Sequence, residues 1–215
     1  EKASVYNAGG PPISQEEHQR LHALLAQELP HADALICTGS LAKNLPPDEY
    51  GNWITQARAC GVLTLLDTHG AALLHSANAL PDIIKINRDE LRHANAESSL
   101  PLPETWLVQG VRCVIITDGP RPTLALTPDG HFELTAPSVM TASPVGSGDA
   151  YCAGLIASLL SRPQAGWVEH LKLAAACGAA NAASSTAGLA AELPLSTLQR
   201  RCAVRTIPTP PRSPT

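Results

Sequence analysis

Short apolar runs recur along the first half of the chain, and each stops on a polar residue. Ala34-Leu35-Ile36-Cys37 gives way to Thr38-Gly39, and Val62–Leu66 to Asp67. Asp82–Ile86 ends at Asn87, and Cys113–Ile116 at Thr117-Asp118-Gly119. Runs this short, rich in β-branched residues and flanked by turn formers, read as buried strands. The stretches between them read as helices. Ser14-Gln15-Glu16-Glu17 is a capping box, Leu21, Leu24 and Leu25 follow at helical spacing, and Pro30 closes the element. Asp48 opens a helix to about Ala59, Ala71–Asn78 forms a short one, and Arg88–Ala94 and Leu102–Gln109 complete the set. Helical crossovers bring each strand back parallel to the last, so the alternation predicts an α/β fold: a mostly parallel central sheet between helical layers.

The rhythm changes at Pro122. Thr123–Thr127 and His131–Thr135 flank Pro128-Asp129-Gly130, a hairpin signal. Two longer helices follow, at about Asp149–Leu160 and Val168–Ser184. Residues 1–200 therefore form one domain, and 201–215, rich in proline, are expected to be a disordered tail. With 215 residues, 44% of them hydrophobic, the chain can bury a substantial core. A formal charge of −4, with Lys and Arg scattered, argues against nucleic acid or an anionic membrane as partner. No apolar stretch approaches a membrane span, and six cysteines without a C-x-x-C pair read as buried thiols of a cytoplasmic protein.

Between hairpin and helix lies Gly146-Ser147-Gly148-Asp149. Glycines there let successive N–H groups converge, and the helix N-terminus adds partial positive charge. The pair makes a cradle for a phosphoryl group, and a carboxylate beside it can take the proton of an attacking hydroxyl. The stretch is not a Walker A loop, because no Gly-Lys-Ser/Thr follows. Read as a plain turn, it would only make Asp149 a helix cap. In open α/β sheets ligands bind beyond the carboxyl ends of the strands, where Thr38-Gly39-Ser40, Asp67, Asn87 and Thr117–Gly119 would also lie.

The stretch Ser143-Pro144-Val145-Gly146-Ser147-Gly148-Asp149 resembles the second signature of the PfkB, or ribokinase-like, carbohydrate kinases, in the form found in tagatose-6-phosphate kinases and 1-phosphofructokinases. Asn7-Ala8-Gly9-Gly10-Pro11, Gly39-Ser40-Leu41, Lys85-Ile86-Asn87-Arg88-Asp89-Glu90 and Thr117-Asp118-Gly119 match further motifs of that family in order. The resemblance implies an ATP-dependent kinase acting on a primary hydroxyl of a ketohexose phosphate. Asp149 would be the base, and the N–H groups of Gly146, Ser147 and Gly148 the anion hole. Asn87 and Glu90 would position Mg²⁺. Thr117, Gly119 and Arg121 would line the nucleotide together with Gly148, and Asn181 would reach the adenine or ribose. Other readings within reach are a kinase of another sugar or nucleoside, and a non-catalytic remnant that at most binds nucleotide. Family members begin with a segment that supplies a first strand, a β-lid and a sugar clamp. Nothing here matches it, so the expectation is a ribokinase-like fold without that strand and lid; the lid is also where a homodimer would form. Pro122 stands where the family's nucleotide loop has a second glycine.

Two readings stay with ordinary structure. Asp67 is taken as the cap of the helix behind it. His18 and His22, four apart on a helix, have metal-binding spacing but no evident third ligand, and so read as a solvated or partly packed pair.

Overall fold

A computed structural model describes residues 11–97, 103–188 and 194–208. Helix α1 (Gln15–Glu28) opens on the capping box: Ser14 Oγ accepts from the Glu17 N–H, and the Glu17 carboxylate accepts from the Ser14 N–H. Three β-α-β units follow, β1 (Ala34–Thr38), α2 (Glu49–Ala59), β2 (Leu63–Asp67), α3 (Gly70–Ser76), β3 (Ile83–Asn87), α4 (Arg88–Glu97), α5 (Pro103–Gln109) and β4 (Cys113–Asp118). Then come β5 (Arg121–Thr127), β6 (Gly130–Thr135), α6 (Ser147–Ser161), α7 (Trp167–Ala182), α8 (Leu195–Arg201) and β7 (Ala203–Ile207). No helix among the described residues is long and apolar enough to cross a membrane.

The strands stand in chain order, β1 to β7, in one sheet. Pairings from β1 to β4 are parallel, and those from β4 to β7 are antiparallel. The parallel part thus continues into an antiparallel meander. Parallel crossovers are nearly always right-handed, so strands added one after another in one direction put their helices on one face. That is what is seen. Leu66, Ile84, Ile86, Val114 and Ile116 pack with Tyr50 and Ile54 of α2, Leu73 of α3 and Trp106 of α5. The opposite side chains, Leu65, Ile83, Cys113, Ile115, Ala125 and Leu134, meet Cys152, Leu155 and Ile156 of α6 and Leu171 and Ala174 of α7. Period-two alternation therefore places every other strand residue toward α6, including Asp67 and Lys85 at the carboxyl ends.

Three expectations change. Residues 203–207 are not a tail: they form β7, whose Val204 and Thr206 pair with Leu134 and Phe132. The open edge of β6 offers a ladder to any extended segment that follows α8, and the prolines begin only at Pro208. Helix α8 itself escaped the sequence reading because it is short and mostly polar. Cys60 is exposed, whereas Cys37, Cys113, Cys152 and Cys202 are buried free thiols, and burial pushes Cys37 up to about 12. Pro122 falls where the β4–β5 register shifts between Ile116 and Asp118, a place for a residue that cannot donate to a ladder.

Candidate active site

Ser147 N–H donates to Pro144 O at 3.2 Å, and Gly146 sits between them at φ 80°, ψ −2°. This is a type II turn, whose third residue needs positive φ. A side chain at Gly146 would also stand 3.2 Å from Ala187 Cβ. The turn therefore delivers the chain into α6 with little freedom. One of the three amides expected in the anion hole, that of Ser147, is spent inside the turn. Among the described residues, the N–H groups of Gly146, Gly148 and Asp149 have no acceptor. Gly148 and Asp149 are exposed, in the first turn of α6.

Beneath this turn lies a buried ion pair. Lys85 Nζ donates to Asp67 Oδ2 at 2.5 Å, with side chains 6% and 15% exposed. A Cβ on Gly148 would come within 3.4 Å of Lys85 Nζ and 3.9 Å of Asp67 Oδ2. Cys152, one turn further along α6, donates to the same Asp67 oxygen. Burial works most strongly against the charged ammonium of Lys85, but the Asp67 carboxylate, with Cys152 and Glu90 adding, outweighs it, so Lys85 is held above its ordinary value. Burial likewise pushes the Cys152 thiol up. Asp67 does not cap α3. That helix has His69 at its N-cap and no side-chain cap. The reason is strand parity: Asp67 points to the α6 face, toward Lys85, not back along its own chain.

Asn181 of α7 is 2% exposed and engaged within the protein. Its Nδ2 donates to Val145 O and to Ser147 Oγ, and its Oδ1 accepts from Gly188 N–H. It clamps the glycine turn from behind. Gly178, one turn earlier on α7, lets the Ser147 carbonyl approach, since a Cβ there would lie 3.2 Å from that oxygen.

The other candidates sit along the same rim. Asn87 ends β3, pairs in register with Thr117, and its Oδ1 accepts from Asp89 N–H. Glu90 reaches back one turn, and its Oε2 accepts from Asn87 N–H at 3.0 Å. Its Oε1 lies 3.8 Å from His69 Nδ1, and the side chain is 39% exposed. Gly119, at φ 59°, and Pro120 make the tight β4–β5 turn. Arg121 leaves that turn with its guanidinium on Asp118 Oδ1, while Arg88 Nε meets Asp118 Oδ2 at 2.8 Å. Hydrogen bonding from Arg121, with Arg88 adding, holds the Asp118 carboxyl below the usual carboxylate range. Sequence reasoning missed this latch. The partners of Asp118, Arg88 and Arg121, lie on two other elements.

A family model of pfkB family carbohydrate kinases matches residues 4–193. The chain belongs to that family. Tagatose-6-phosphate kinase of Staphylococcus epidermidis is 28% identical over 193 residues, covering 83% of this chain and 60% of that protein. The chain thus spans 60% of the length of this curated relative. Among solved structures, a possible 1-phosphofructokinase of Thermotoga maritima superposes with a TM-score of 0.79 at 16% identity, over 95% of this chain and 67% of that one. Phosphofructokinase-2 of Escherichia coli, in complex with potassium, gives 0.74 at 19% identity, over 91% of this chain and 65% of that one. The fold is ribokinase-like, as the sequence resemblance implied.

Proposed function

We propose that this pfkB family chain carries the phosphoryl-transfer half of an ATP-dependent kinase whose acceptor is a primary hydroxyl of a ketohexose phosphate. One observation carries the reading: an exposed carboxylate, Asp149, stands beside unpaired amides at a glycine turn on the carboxyl rim of the sheet. The amides of Gly146, Gly148 and Asp149 stabilise negative charge that grows on the transferring phosphoryl. Asp149 accepts the hydroxyl proton as the oxygen attacks phosphorus in line. The Lys85–Asp67 ion pair lies directly below the turn and supports it from beneath, its two charges offsetting each other. Thr117, Gly119 and Arg121 border the nucleotide. Asn181 acts through the turn, because its amide is already engaged by Val145, Ser147 and Gly188. The oxygen donors of Asn87 and the partly exposed Glu90 carboxylate suit Mg²⁺, which prefers hard ligands and retains waters. When bound, the ion supplies charge neutralisation to the phosphates.

The relatives' names support a sugar phosphate as acceptor. The test is ADP release from Mg-ATP with fructose 1-phosphate, fructose 6-phosphate, tagatose 6-phosphate and unphosphorylated sugars. Turnover on one phosphorylated ketose would support the reading and identify the acceptor. Asp149→Asn should lower it by ~10²–10⁴-fold, the usual worth of a general base, with stabilisation by ATP retained. Equal turnover by Asp149→Asn would remove that residue from the mechanism. A chain that ATP stabilises but that turns over no sugar would be a nucleotide-binding domain without a working acceptor site.

A further inference from the structure

His18 and His22 gain a third partner in the fold. Glu49, 31 residues from His18 and opening α2, is 1% exposed. Its Oε1 lies 2.9 Å from His18 Nε2 and 2.5 Å from His22 Nε2, and the two Nε2 atoms are 3.0 Å apart. Three Lewis-basic atoms thus converge on one point. With Glu49 ionised, protons alone leave at least one of the three contacts unfavourable. If both Nε2 atoms carry hydrogen, both donate to Oε1, but the two donors are crowded 3.0 Å apart. If one does, the lone pair of the other faces the carboxylate oxygen. If neither does, all three meet lone pair to lone pair. One cation resolves every contact at once. Tetrahedral Zn²⁺ with bonds near 2.0–2.1 Å holds its ligand atoms about 3.3 Å apart. The triangle reaches that spacing through small rotations of imidazoles that are 27% and 33% exposed.

The surroundings fit a metal. Trp53 stands edge-on to His22 at 6.3 Å and walls the site with an apolar ring. The exposed sides of the two histidines leave room for water as fourth ligand. Helix α1 also needs a tie. None of its residues is buried, and Leu21 and Leu24 are 37% and 55% exposed. Its apolar anchorage is confined to Leu25, which packs beside Leu29, Ala57 and Val62.

We propose that His18, His22 and Glu49 form a structural site for a divalent transition metal of the Zn²⁺ class, which staples α1 to α2. Imidazole and carboxylate ligands in tetrahedral array favour Zn²⁺ over Mg²⁺, so the site is distinct in chemistry from the oxygen donors of Asn87 and Glu90. The proposal does not depend on kinase activity.

The test uses tag-free chain stripped with a chelator and then titrated with ZnCl₂ against a chromophoric chelator. The comparison is His18→Gln/His22→Gln, whose partly exposed positions tolerate the change. Wild type should bind one Zn²⁺, and the double variant should bind more weakly by at least the ~10–100-fold lost when a mere supporting partner of a metal ligand is removed. One equivalent of Zn²⁺ should raise the Tm of wild type and leave the variant unmoved. Equal uptake by the two proteins would overturn the site, because the remaining histidines and Cys60 would then account for it. Should the variant not fold, wild type alone decides: the ring resonances of His18 and His22 shift on addition of Zn²⁺ if they ligate it, and unmoved rings refute the proposal.

Discussion

Single residues at the rim act in pairs that the chain order conceals. Lys85 and Asp67 are Cα partners on adjacent strands, and both face α6. Removing one member of a buried pair strands the other charge, at a cost of roughly 3–5 kcal/mol, whereas replacing both by apolar residues is close to neutral. Lys85→Met should therefore lose stability toward the lower end of that range, since Asp67 keeps 15% exposure. Lys85→Met/Asp67→Leu should recover much of it. Urea denaturation of the three proteins checks this, and a double variant less stable than the single would refute the pairing. Both members lie under Gly148, so the loss should reach the glycine turn that opens α6. Sequence inspection can place Lys85 beside the Asn87 motif, but it cannot see that strand parity sends Asp67 to the same face.

At the scale of elements, the carboxyl rim beside the β4–β5 turn is held by a latch between α4, β4 and β5. Asp118 carries both Arg88 and Arg121, and its carboxyl is held low by them. A carboxyl with a depressed native pKa contributes stability above its unfolded value, near 3.9, and the contribution fades as pH falls through the native value. Asp118→Asn should thus be less stable than wild type at neutral pH, and the gap should close in acid. Denaturation at neutral pH and near pH 3 measures it; a gap of constant size would mean that the latch does not stabilise the fold. The capping box of α1, the Pro-Asp-Gly hairpin and the α6 turn were all legible, because each is a local device whose partners lie within a few residues. The latch was not, because its three residues come from three elements.

For the molecule as a whole, the meander of β5, β6 and β7 extends the parallel half and finishes the face that α6 and α7 cover. Strand β7 pairs along the whole of His131–Thr135, and Leu134 beneath is 1% exposed. Deleting 203–215 should expose that edge and lower Tm by several degrees, at ~2–4 °C per kcal/mol for a chain of this size. Deleting only 209–215, whose prolines cannot donate to a ladder, should leave Tm unchanged. Equal Tm for both truncations, read by differential scanning calorimetry, would show that β7 contributes nothing.

The amino-acid sequence by itself determined the alternating strands and helices, the polar residues that end each strand, and the glycine turn that opens α6. These follow from periodicity and from backbone freedom, which are properties of neighbours along the chain. Tertiary structure alone decided which distant polar residues meet: Asp67 with Lys85, Asp118 with Arg88, Asn181 with the turn, and Glu49 with two histidines. Those meetings depend on strand parity, on the hand of the crossovers and on how the helices pack. They bring side chains far apart in the chain within hydrogen-bonding distance, and none of them is written in any one stretch of sequence.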